Sequence, residues 1–88
     1  MECKFKTTYE MYEDDFDKAV GQNVQKFCEA ETVYLTLTCN ENFSISYIIE
    51  IMEFVKFSFN IEKDENLKEE IFNDENLKDD EIEIILKV

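Results

Sequence analysis

Carboxylates are the one reactive group this 88-residue chain holds in quantity: twenty-two Asp and Glu face nine Lys, with no His and no Arg, for a formal net charge of −13. Catalysis near neutral pH needs a tunable proton carrier, an activated nucleophile, a metal or a cofactor loop. The absence of His removes Cys-His and Ser-His pairs and the commonest transition-metal ligand. A single Gly removes the phosphate-cradling loop of the GxxxxGK type. Cys3, Cys28 and Cys39 have no CxxC spacing and fall on faces that the local pattern turns inward, so they read as small buried hydrophobes rather than zinc ligands. Glu13-Asp14-Asp15-Phe16-Asp17 is acidic enough for Ca²⁺ but lacks the Gly of the DxDxDG loop. A glycosidase-style carboxylate pair needs one member in an apolar pocket, for which so small a core has little room. We expect no enzyme, no metal and no cofactor.

What remains for the acids is recognition. The C-terminal third, from residue 61, holds eleven of them against four Lys. In one reading they only solvate a surface. In the other, carboxylates on a rigid frame imitate the phosphate row of a nucleic acid and occupy a Lys- or Arg-lined groove, with an affinity that falls steeply with salt. The second reading selects Asp64, Glu65, Glu69, Glu70, Asp74, Glu75, Asp79 and Asp80, extended by Asp14, Asp15 and Asp17. The expected partner is the basic surface of a nucleic-acid-binding protein; nucleic acid itself and an anionic membrane would repel this chain.

These side chains need a scaffold. Cys3, Phe5, Thr7 and Tyr9 alternate with Glu2, Lys4, Lys6 and Thr8, a period of two that predicts a half-buried strand. From about Asp14 to Cys28 the apolar positions Phe16, Ala19, Val20, Val24, Phe27 and Cys28 predict one helix, in which Gly21 implies a close packing contact. Val33, Leu35, Leu37 and Cys39 share one face of a strand from Thr32. After the polar turn Asn40-Glu41-Asn42, Ser44 or Ser46 can cap a second helix running to about Ser58. Its apolar face is too broad for one edge of a sheet, so it is either central to the core or docked on a partner. Asp64-Glu65-Asn66-Leu67-Lys68 recurs as Asp74-Glu75-Asn76-Leu77-Lys78; the first copy predicts a short helix pairing Leu67 with Ile71, the second a loop. Ile82, Ile84, Leu86 and Val88 predict a last strand. The order β-α-β-α-α-β implies one α+β domain over residues 1–88, a two-layer fold in which two helices pack on one face of a small three-stranded sheet.

Eighty-eight residues support one modest core, and eight Phe and four Tyr supply enough apolar area to fold it despite the charge. The odd cysteine count and the N-terminal MECKFK, which lacks a signal peptide's apolar run, favour a reducing cytoplasm. Glu50, Glu53 and Lys56 interrupt the longest apolar stretch, which argues against a membrane span. Leu35 and Leu37 belong to the expected core, and so does Ile49, whose replacement by Ala should unfold the domain, whereas reversing Asp74, Glu75, Asp79 and Asp80 to Lys should spare the fold.

In size, acidity and α+β layout the whole chain resembles the small acidic proteins that bacteriophages encode against host defences, particularly anti-CRISPR proteins that mimic DNA. Leu35-Thr36-Leu37-Thr38, a polar turn and then Ile48-Ile49-Glu50-Ile51-Met52-Glu53-Phe54-Val55-Lys56-Phe57 are similar to the strand-turn-helix of many short phage proteins. The resemblance implies an inhibitor, in the cytoplasm of an infected bacterium, that occludes a groove of a CRISPR effector or blocks its conformational change. The alternative is an adaptor or assembly factor that uses the broad helix face, or Thr32–Thr38 as an edge strand, for a homodimer interface.

Overall fold

The computed structural model describes residues 1–88, in the chain order β1 (Glu2–Thr8), α1 (Tyr12–Val20), α2 (Val24–Glu29), β2 (Val33–Cys39), α3 (Ile45–Ser58), β3 (Leu67–Asn73) and β4 (Glu81–Lys87). The alternating segments become strands because each turns one row of apolar side chains to the same side. Cys3 and Thr7 of β1, the trio Ile82, Ile84 and Leu86 of β4, and Val33, Leu35, Leu37 and Cys39 of β2 are all buried there. The α+β class holds, but the sheet has four strands in the order β1-β4-β2-β3. β4 runs antiparallel to both β1 and β2, and β3 runs parallel to β2. β1, β2 and β3 therefore end at one edge of the sheet, here called the upper end.

The fourth strand replaces the short helix expected around Leu67 and Ile71. Leu, Lys and Glu favour a helix locally, yet β2 has β4 on only one side, and seven residues of β3 complete its ladder from Val33↔Leu67 to Cys39↔Asn73. Parallel neighbours need a long crossover, which α3 provides. Only Leu67 of β3 is buried, so hydrogen-bond pairing plus one anchor overrides the weak local preference. The same pairing makes β2 an interior strand, and Thr32–Thr38 is no sheet edge.

Gly21 divides the expected long helix into α1 and α2 through a tight turn over Gly21–Asn23. Its φ of 49° explains the residue type, because nothing lies within 4 Å of where a Cβ would stand and the expected packing contact is absent. The break lets α1 deliver Phe16 and Val20, and α2 deliver Phe27, to one core. Phe27 stacks on Phe59 with ring centroids 4.7 Å apart, a geometry worth about 0.5–1.5 kcal/mol beyond the area it buries.

α3 is the central helix. Ile48, Ile51 and Val55 point into the sheet, and Phe54 meets Tyr12 and Phe16 edge-on. Ile49 is 51% exposed and lies outside the core, correcting its expected role. Ser44 holds the N-cap position, but its hydroxyl bonds to that of Ser46, 2.8 Å away, and caps no backbone N–H. No helix is long and apolar enough to cross a membrane.

Candidate functional site

Charge is divided unequally between the two sides of the sheet. The side away from the helices carries Glu2, Lys4 and Lys6 on β1, Glu81, Glu83 and Lys87 on β4, and Lys68 and Glu70 on β3, among Tyr34, Thr36 and Thr38 of β2. Four Lys offset four Glu there, and Lys4 pairs with Glu83 at 3.8 Å. The other eighteen carboxylates and five Lys lie on the helical layer, its connections and the sheet margins, and they account for the whole −13.

The eleven acids singled out from the sequence do not form one row. Asp14, Asp15 and Asp17 lie on α1, which starts just beyond the end of β1, and Asp74, Glu75, Asp79 and Asp80 lie in the 74–80 crossover from β3 to β4. Both groups are at the upper end. Asp64 and Glu65 form the turn before β3 at the opposite end, while Glu69 and Glu70 stand on opposite faces of β3.

Four of these acids serve the fold. Asp15 accepts a 2.6 Å hydrogen bond from the hydroxyl of buried Thr7, tying α1 to β1. Asp64 takes the Lys56 ammonium, and this hydrogen bond, with burial opposing it, raises the Lys56 pKa. Asp74 caps its own turn by accepting from the Asn76 N–H at 3.0 Å. Asp79 accepts from the side-chain amides of Asn40, at 2.7 Å, and Asn42, at 3.3 Å. Asn40 is buried and also donates to the Leu77 carbonyl at 2.9 Å, so its amide ties the crossover to the end of β2, beside the 3.0 Å bond from the Asp74 N–H to the Cys39 carbonyl. Reversing Asp74 and Asp79 to Lys would therefore damage the fold that the sequence expected it to spare. Asp14, Asp17, Glu65, Glu69, Glu70, Glu75 and Asp80 have side chains with no intramolecular partner and face water.

The upper end also contains a feature invisible to spacing arguments. Tyr9, Glu10, Tyr12, Glu13, Asp14 and Glu50 line a cleft of about 370 Å³. Tyr9 stacks on Tyr47 with centroids 3.6 Å apart and planes at 11°, and its hydroxyl donates to the Glu50 carboxylate. That bond pushes the Tyr9 pKa up to about 12, with desolvation and the Glu50 charge adding to it. Burial first, then the Glu13 and Glu50 charges, raises Tyr12 as well. Four carboxylates lining the cleft offer a Lys or Arg side chain charge-assisted contacts. Glu50 is forty-one residues from Tyr9, and only Glu13 and Asp14 had a local signal.

A second surface is apolar. Beyond α3 no helix covers β3, and Phe43, Ile45, Ile49, Met52 and Ile71 line a groove of about 410 Å³. Ile45 is 74% exposed and Ile71 49%. The three cysteines are free; burial raises the pKa of Cys39. No group of three Cys, Asp or Glu side chains converges where it could hold a metal ion. In comparison with known proteins, no family model and no curated protein matches this chain.

Proposed function

We propose that the protein acts by binding, without turnover, as an inhibitor that seats its acidic side in the basic nucleic-acid-binding groove of a host-defence effector, in the manner of the anti-CRISPR proteins it resembles. The observation that carries this reading is the segregation of charge. A surface that only needed solvation would spread its carboxylates evenly, whereas here one sheet face is balanced and the entire excess lies on the helical layer, its connections at both ends and the sheet margins. An uneven field of this size steers a cationic partner to one side of the molecule. The Tyr9–Glu50 cleft, lined by Asp14, supplies a place for one partner cation, and Asp17, Glu75 and Asp80 supply further unpaired charge on α1 and the 74–80 crossover. On this reading the site of action is the cytoplasm of an infected bacterium.

Competition decides it. The wild-type chain should displace duplex DNA from a purified, guide-loaded CRISPR effector, and the displacement should weaken steeply as salt rises. A variant with Asp14→Lys, Asp17→Lys, Glu75→Lys and Asp80→Lys keeps every carboxylate that serves the fold and should lose competition. If that folded variant competes as well as wild type, mimicry is wrong. A second reading, an adaptor acting through apolar surface, is favoured by the uncovered Ile45, Ile49 and Ile71; its complex would persist at high salt.

A further inference from the structure

We infer that the free edge of β3, together with the groove beneath α3, is a seat for an extended segment of a partner protein in which basic and apolar residues alternate. This deepens the proposed function by naming what part of the cationic partner is held here. β3 pairs only with β2, so its other side presents a row of unpaired backbone groups. An added strand would satisfy them, which is the geometry of β-augmentation.

The side chains specify the added strand. Successive residues of a strand point to opposite faces. Those pointing toward the helical side would enter the groove of Ile45, Ile49 and Ile71, and apolar residues fit there. Those pointing the other way would meet Lys68 at the start of the strand and then Glu70 and Phe72, the latter 50% exposed, where a cation gains both a carboxylate and an aromatic face. From Asp64 to Glu75 the chain sets six carboxylates against Lys68 alone, so the margins of the edge repeat the preference for positive charge. A second copy of this chain fits poorly. An antiparallel two-fold pairing about the middle of β3 sets Glu70 against its own copy and two bodies of −13 against each other.

The test uses a labelled nine-residue peptide alternating Val and Lys, with nonalysine as the comparator, both titrated against the full chain by fluorescence anisotropy. The alternating peptide should bind about tenfold or more tightly than nonalysine at high salt, where charge alone is screened. It should also slow amide exchange selectively over residues 67–73. Ile49→Asn combined with Ile71→Thr changes only half-exposed positions; it should erase the advantage of the alternating peptide and leave nonalysine binding unchanged. Equal binding of the two peptides, or an unchanged advantage in the variant, overturns the inference. So does sedimentation showing a dimer of the chain that the double substitution dissolves, since the occupant would then be a second copy. Effector competition by the variant with Asp14, Asp17, Glu75 and Asp80 reversed is read separately. Wild-type-like competition by that variant, with intact peptide binding, removes groove mimicry and leaves the edge site standing; lost competition with equal binding of the two peptides does the opposite.

Discussion

The pentapeptide Asp-Glu-Asn-Leu-Lys occurs twice and folds in two ways. At residues 64–68 it makes a tight helical turn and then enters β3, with Leu67 buried at the foot of the sheet. At 74–78 it forms the loop that passes over the end of β2, with Leu77 only half-buried and its carbonyl held by Asn40. Five identical residues have no intrinsic preference strong enough to choose; the neighbour each copy meets does. The first meets an unpaired ladder on β2, the second meets a buried amide.

The largest expected separation between the copies comes from their leucines. Leu67→Ala should cost about 2–5 kcal/mol in denaturant unfolding, and Leu77→Ala under about 1 kcal/mol, because it gives up half-exposed surface. Equal costs would mean that β3 is not anchored as described. Next comes the amide. Asn40→Ala removes the donor to Leu77 and Asp79 and leaves both acceptors to water, at about 1–3 kcal/mol; proteolysis within 74–80 should speed up while β3 stays protected from exchange. A smaller contrast lies in the aspartates. Asp64→Asn should lower Tm slightly at low salt and not at high salt, since it breaks an exposed ion pair with Lys56. Asp74→Asn keeps an oxygen for the Asn76 N–H and should show no such salt dependence.

Titration gives the finest test. Lys56 has a folded pKa raised by Asp64, so the stability this contact adds is present below the ordinary Lys range and is lost as pH climbs through the raised value. Tyr9 behaves alike: its raised pKa of about 12 means its contribution is full below the usual Tyr value of 10.0 and disappears between there and 12. Absorbance at the phenolate band should show two late-titrating Tyr, Tyr9 at about 12 and Tyr12 above its ordinary value, and Glu50→Gln should return Tyr9 to earlier titration. In the Asp64→Asn variant the Lys56 part of the alkaline loss should shrink, with Glu53 still 3.5 Å from the ammonium, and the Tyr9 part remain.

The legibility of the fold follows the same line. The alternation at Glu2–Thr8, Val33–Cys39 and Glu81–Lys87 was readable because one face of each strand must be apolar whatever lies beside it. α3 was readable in extent but not in role: Ile48 and Ile49 are adjacent and equally apolar, and only the placement of α1 and the sheet decides that one is buried and the other open. The acids were legible as a total. Their division into structural carboxylates such as Asp15 and Asp79 and free ones such as Asp14 and Asp80 depends on Thr7 and Asn40, which no charge pattern reveals.

By itself, then, the sequence determined the α+β class, three of the four strands, the extent of α3 and the strongly negative net charge, because burial periodicity and net charge are sums over nearby or all residues. The tertiary structure alone decided that Leu67–Asn73 is a strand, that β2 is interior, that one sheet face is neutral and that Tyr9 meets Glu50. Each of those depends on a contact between segments far apart in the chain, and the energy of such a contact is absent until the chain has folded around it.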